Sequence, residues 1–313
     1  MKKRIFALFL SALLLVTVLC ACGDESQSEV GGTGSDGTST SGEAVTGGEL
    51  VVGISQDLGD SLDPYQMTAA GTREVLFNVY EGLVKPTSTG EYVPAVASDS
   101  TVSEDGLTYT FPLREGVLFH NGEEVTTDDV IYSFETCAET TVDTALAAAL
   151  SAVESVTADG NTITVTLSEA NPDFLSYVGM VYIVPDDYTD QATAPVGTGP
   201  FRFVSRSVQQ NLVMEKFADY WGEGASLDKV TFQIFEDSNA LMSALSAESV
   251  DMAVHLTIDQ VNTIGEGTYK TLEGTMNLVQ ALYLNNNVEP FNNEQVRQAL
   301  CYAIDVQQII DFV

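Results

Sequence analysis

Basic residues are scarce in this chain. Its 313 residues hold 12 Lys and Arg against 45 Asp and Glu, a formal net charge of −33. A surface of that sign repels phosphate backbones and anionic head groups, so nucleic acid is excluded as a direct partner and solvation is the main use of the acidity. Histidine is scarcer still, with only His120 and His255. A site built from several imidazoles is therefore out of reach, and no cofactor is implied. The four Cys form no CxxC pair and have no zinc-ligand spacing. GxSxG, GxxxxGK and HExxH do not occur, which removes the usual hydrolase, P-loop nucleotide and zinc-protease chemistries. Beyond residue 19 no run is long and apolar enough to cross a bilayer.

What is present is a globular composition. Hydrophobic residues make up 44% and aromatics 9% of the chain, enough apolar surface to offset chain entropy. The first 48 residues do not read as folded, so the remainder fits one large domain or two of ~150 residues.

Met1–Arg4 is a positively charged start and Ile5–Leu19 an apolar stretch shorter than the ~20 residues a spanning helix needs. Residues 1–21 therefore read as an export signal. Leu19-Cys20-Ala21-Cys22-Gly23 resembles a bacterial lipobox, which implies a lipoprotein signal peptide and Cys22 as the lipidated residue and new N-terminus. A diacylglyceryl thioether there supplies the two chains that stable anchoring requires, and it implies a place on the extracytoplasmic face of the cell membrane. Residues 22–48 are Gly, Ser, Thr and acidic residues with almost no apolar content, a flexible tether spanning roughly 28 Å. Cys20 leaves with the signal. Cys137 and Cys301 remain, as buried free thiols by default, with a disulfide between them left open.

The folded part alternates strands and helices. Glu49–Ser55 is a first strand, and Thr72–Leu83 places Val75, Leu76, Val79 and Leu83 at helical spacing behind a Thr72 cap. Thr108–Pro112 is a strand. Val117–His120 leads into an Asn121-Gly122 hairpin turn, and Thr126 stands three residues before Asp129 at capping-box spacing. Val156–Leu167 forms two strands about Asp159-Gly160. After Gly197-Thr198-Gly199-Pro200 come strands at Phe201–Val204, Leu212–Phe217 and Val230–Phe235. A helix starting on Ser238, a strand at Gln280–Leu284, and helices at Asn293–Ala303 and Val306–Phe312 close the chain.

The order of motifs resembles the family-5 extracellular solute-binding proteins of peptide and nickel importers. The motifs are LDP at Leu62–Pro64 with YEGLV at Tyr80–Val84, LREGVLFHNGEEVTTDDVIYSFE at Leu113–Glu135, VGTGPFRF at Val196–Phe203, Tyr220-Trp221, and LNNNVEPFNNEQVRQALCYAID at Leu284–Asp305. The resemblance implies an α/β fold, a periplasmic-binding-protein-like two-lobed clamp of the large class with an extra inserted domain and an incomplete second lobe. Residues 49–92 and 196–273 would form the first lobe, 93–195 the insert, and 274–313 the start of a second lobe. The implied role is the binding subunit of an ABC importer, a monomer that captures a peptide-like solute and delivers it to permease subunits, without catalysis. Ligand contacts are expected after LDP, at Met67, Thr68, Thr72 and Arg73, where Arg73 can pair with an anionic group. A solvated loop and helix start is the alternative for these four. The cargo is not legible; oligopeptide is the expectation from the family, and four Cys with two His do not argue for nickel.

Two features point elsewhere. Gly59-Asp60-Ser61-Leu62 spells the GDSL of an esterase and lipase family, in which Ser61 would be the nucleophile. Asp251 to His255 has one residue too many for that family's D-x-x-H, and Ser61 runs directly into LDP, so coincidence is favoured. Trp221 reads as packing within a lobe, with a cleft wall as the alternative.

Overall fold

The computed structural model describes residues 46–264, 269–274 and 281–310. The export signal, Cys22 and the tether as far as residue 45 lie outside the described residues. In chain order the elements are β1 (Glu49–Ile54), α1 (Ala70–Leu76), β2 (Val84–Pro86), β3 (Tyr92–Pro94), β4 (Thr101–Val102) and β5 (Thr108–Pro112). Next come α2 (Thr127–Thr140), α3 (Thr144–Leu150), β6 (Val153–Asp159), β7 (Thr162–Leu167) and α4 (Phe174–Val178). Then follow β8 (Phe201–Ser207), β9 (Asn211–Lys216), β10 (Lys229–Ile234), α5 (Ser238–Ser246), β11 (Met252–Ala253), α6 (Ile258–Ile264), α7 (Glu294–Ala303) and α8 (Val306–Ile310).

A five-stranded sheet runs in the order β11-β1-β10-β9-β8. β1 is an interior apolar strand, next to the short edge strand β11, parallel to β10 and β11 and buried from Val52 to Ile54, as a strand covered on both faces must be. β10, β9 and β8 continue as an antiparallel meander. A second sheet, β4-β5-β7-β6, is antiparallel. Tyr109 and Phe111 of β5 and Ile163, Val165 and Leu167 of β7 alternate inward, and α2 lays Val130, Phe134 and Cys137 into the same core. The capping box of α2 forms as expected, with Thr126 Oγ1 accepting from Asp129 N–H and the Asp129 carboxylate accepting from Thr126 N–H. One apolar cluster joins both sheets; a smaller one packs Leu241, Leu245 and Val250 on the other side of β1.

Several expectations are corrected. The helix expected over Thr72–Leu83 is the shorter α1, starting behind Ala69 without a side-chain cap. Thr72 lies inside it because its hydroxyl accepts from Gly59 N–H at 2.8 Å. The helix stops early because the carbonyls of Asn78 and Val79 accept from Phe201 N–H and Gly199 N–H, which a continued helix would forbid. At Asn121-Gly122 only Gly122 has positive φ, +90°, so the turn spans Phe119 to Gly122, closed by Gly122 N–H to Phe119 C=O. The β6–β7 loop is Gly160-Asn161, one residue later than Asp159-Gly160. Asp237, not Ser238, caps α5. Ala281–Leu284, the described part of the last expected strand, forms no strand, since it pairs with none of the strands among the described residues. α7 buries no residue, and Cys301 on it is exposed, whereas Cys137 is buried; both are free thiols.

The motif GTGP has a steric reason. A Cβ on Gly199 would lie 2.4 Å from Asn78 O, and one on Gly197 would lie 2.3 Å from Val79 O, both backbone atoms. The segment must lie flush against the turn after α1 to start β8.

A carboxylate with almost no exposure holds this joint from the other side. Glu81 accepts from Lys85 Nζ, Tyr220 Oη and Trp221 Nε1, each at 2.8 Å. Lys85 and Arg114 stand over the Trp221 ring at 5.1 and 4.3 Å from its centroid. Burial and then the Glu81 charge push the Tyr220 phenol well above its usual range, so it stays a donor. YEGLV and the Tyr220-Trp221 pair are thus two halves of one contact.

Two outcomes follow. Gly199→Ala forces backbone apart, and thermal unfolding should show a midpoint lowered by roughly 2–12 °C, the equivalent of about 1–3 kcal/mol. Glu81→Ala strips three donors of their acceptor at a cost on the order of 3 kcal/mol, and the emission of Trp221, the only Trp, should shift to the red.

Candidate functional site

In open α/β sheets the usable crevice lies outside the carboxyl ends of the strands, where the winding changes direction. Here that point is β1. The chain leaves β10 on one side of β1 and, through α5, returns as β11 on the other. The loop after β1 carries LDP and leads into α1, so α1 stands over this edge. Two depressions flank it.

The wider is an open cleft of about 420 Å³ lined by Met67, Thr68, Ala70, Arg73, Val142, Asp143 and Thr144. Asp143 caps α3, its Oδ1 accepting from Ala145 and Leu146 N–H at 3.0 Å, while Oδ2 pairs with Arg73 Nη1 at 2.9 Å. The Leu146 amide first, and Arg73 with it, hold the Asp143 carboxyl below the usual carboxylate range. Arg73 Nη2 also reaches the Met67 carbonyl at 3.4 Å. A guanidinium has five N–H donors, and these bonds account for two.

Met67, Thr68 and Arg73 of the expected ligand contacts are thus brought to one wall, Met67 with its side chain packed in the core and Thr68 exposed. Thr72 is not among them: it is fully buried and fixes the loop through Gly59. Asp143 was not expected at the site. Its cap before an Ala-rich helix is a local signal, but its pairing with Arg73, 70 residues away, has none.

The narrower depression, about 120 Å³, lies on the other side of α1 and is lined by Val52, Ile54, Gln56, Gly71, Glu74, Val75, Phe232, Val254 and His255. His255 Nε2 meets Glu74 Oε2 at 2.7 Å, on a backbone with φ of +58°.

Neither histidine serves Ser61. His120 donates from Nε2 to Gly199 C=O at 2.9 Å and accepts at Nδ1 from Gly197 N–H at 3.3 Å, with Phe217 edge-on at 4.9 Å. Ser61 Oγ accepts from Asp63 N–H. The nucleophile of an esterase therefore has no base here. Among the described residues no group of three His, Cys, Asp or Glu is placed to hold a metal, and no helix is long and apolar enough to cross a membrane.

The His120 bonds require a neutral ring, and burial lowers its pKa to about 4. The folded pKa lies below the unfolded one of ~6.5, so the contribution is complete above pH 6.5 and is lost as pH falls toward 4. Denaturant titrations should show about 2–3 kcal/mol of stability lost over that window, and His120→Asn should flatten this part of the profile relative to the parent.

The family described as bacterial extracellular solute-binding proteins, family 5 Middle, matches residues 91–313. The chain is 32% identical over 270 residues to Heme-binding protein A of Haemophilus influenzae, covering 75% of this chain and 49% of that one. It is 29% identical over 248 residues to the Nickel-binding periplasmic protein of Escherichia coli, covering 74% and 47%. Among solved structures, the periplasmic binding protein DppA of Helicobacter pylori, in complex with the peptide STSA, superposes with a TM-score of 0.73 at 28% identity over 86% of this chain and 59% of that one. The chain spans about half the length of the curated relatives it matches. Its α/β architecture is that of the periplasmic binding proteins, and the chain belongs to the family-5 bacterial extracellular solute-binding proteins.

Proposed function

We propose that the protein is the extracytoplasmic solute-binding subunit of an ABC importer, capturing a peptide-like small solute and handing it to membrane permease subunits. The observation that carries this reading is the family match over residues 91–313. The open cleft beside α1 supports it, placing a guanidinium and a carboxylate side by side where a zwitterionic solute has both charges to meet. Thr68 and Arg73 are the direct contacts in this proposal, Met67 supplies a carbonyl and a packed floor, and Thr72 holds the loop. The work is differential affinity for a closed state, with no covalent chemistry.

The proposal carries an organisation with it. Every strand of the five-stranded sheet comes from 49–92 or 196–273, and every strand of the four-stranded sheet from 93–195, which supports reading the first as a lobe and the second as its insert. Residues from 274 onward would begin the opposing lobe. Cys22, lipidated after removal of residues 1–21, would hold the protein to the membrane through the tether as a monomer.

A screen of di- and oligopeptides, glutathione, a nickel–histidine chelate and heme by thermal shift tests the reading. A true ligand at 100 times its dissociation constant should add about 2.7 kcal/mol of stability, and Arg73→Ala should weaken its binding about tenfold or more. Absence of any stabilising solute together with turnover of an aryl ester would return the esterase reading.

A further inference from the structure

The narrower cavity on the far side of α1 has a character of its own. Its walls are hydrocarbon: Val52 and Ile54 from β1, Phe232 from β10, Val75 from α1 and Val254 after β11. At about 120 Å³ it is somewhat smaller than the ~150 Å³ apolar cavity that accepts benzene, a size that suits a branched group of about four or five carbons. Its polar lining is Gln56, Glu74 and His255, all three exposed and therefore at the mouth. No Lys or Arg lines it. Glu74, half exposed, is the one carboxylate there, and His255 orients it through the 2.7 Å contact with Oε2.

We propose that this cavity is a side-chain subsite for a solute that carries a branched aliphatic group next to a primary ammonium, as at the amino end of a peptide beginning in leucine or valine. The aliphatic group enters between α1 and the ends of β1 and β10, and the ammonium donates to Glu74. The proposal rests on the reading of the chain as a solute-binding protein and names part of its ligand. Three observations act together: the volume matches the group, the apolar walls exclude a charged tail, and the rim has a carboxylate whose neighbour is the His255 imidazole, with no Lys or Arg in the lining to attract an anion. The wide cleft is different in kind, since Arg73 and Asp143 line it and favour polar groups of both signs. The position is also the one the topology favours, at the carboxyl ends of strands flanking the switch in winding.

The test uses this chain with small probes, followed through the methyl resonances of Val52, Ile54, Val75 and Val254. 3-Methylbutylammonium should shift these signals saturably and bind about three- to fivefold tighter than 3-methylbutanol, with 3-methylbutanoate weakest. Glu74→Gln should bring the ammonium down to the level of the alcohol and leave the alcohol unchanged. Val254→Phe, which fills the cavity, should abolish the shifts by both probes; Glu74→Gln and the probe series decide the matter if that variant does not fold. No saturable shift at these methyls, or equal binding of ammonium and carboxylate, overturns the subsite. If a solute found by the thermal screen still binds and depends on Arg73, the importer reading stands without it; if no solute binds by either measurement, both fall.

Discussion

The buried Glu81 carboxylate is the contact on which the rest of this architecture depends. It comes from the segment that follows α1, and its three donors come from β2 and from the loop between β9 and β10. A charge removed from water is tolerated only when its lone pairs are filled, so the chain has little freedom in how these segments meet. Trp221 then stacks beneath Lys85 and Arg114, and Arg114 donates from Nε to Ala95 C=O, which draws the start of the antiparallel sheet into the same joint. On the opposite side the glycines of GTGP let backbone lie against backbone, and the His120 ring spans them with one donor and one acceptor. Polar satisfaction and steric closeness thus lock the five-stranded sheet to the rest of the fold.

That lock has a consequence for α1. Because the turn after α1 is held by Gly199 and Phe201, and its entry by Thr72 and Gly59, the helix is short and its orientation over the carboxyl edge of the sheet is set from both ends. A seven-residue helix has little stability of its own, so the tertiary contacts decide where its side chains stand. Arg73 is directed to the wide cleft and Glu74 to the narrow cavity, one residue apart and on opposite sides of the same element. Binding groups of opposite charge are separated by the helix itself.

Much of the scaffold was legible locally. The capping box at Thr126 and Asp129, the strand at Thr108–Pro112 and the meander after GTGP involve neighbours in sequence, and their signals survive folding unchanged. The failures have one cause. The apolar spacing of Val75, Leu76 and Val79 predicts a longer α1 because it continues past the point where distant amides of Phe201 and Gly199 claim the carbonyls of Asn78 and Val79. Asn121-Gly122 predicts a two-residue turn because Asn and Gly both tolerate positive φ, whereas in the fold only Gly122 takes it and its amide closes the turn on the Phe119 carbonyl. Of the candidate ligand contacts, Met67, Thr68 and Arg73 share a wall, while Thr72 is drawn into a structural bond that no local pattern announces.

The sequence by itself determined the class of the protein: its acidity, its two histidines, its motif order and its strand and helix alternation are properties of residue type and spacing, which need no partner to be read. Only the tertiary structure decided the site. Asp143 meeting Arg73, Glu74 meeting His255, and five apolar side chains from four segments closing on one small cavity bring together residues as far apart in the chain as Val52 and Val254. Such pairings are chosen by how the strands are ordered around β1, and that order follows from packing and buried hydrogen bonds, not from any pattern along the chain.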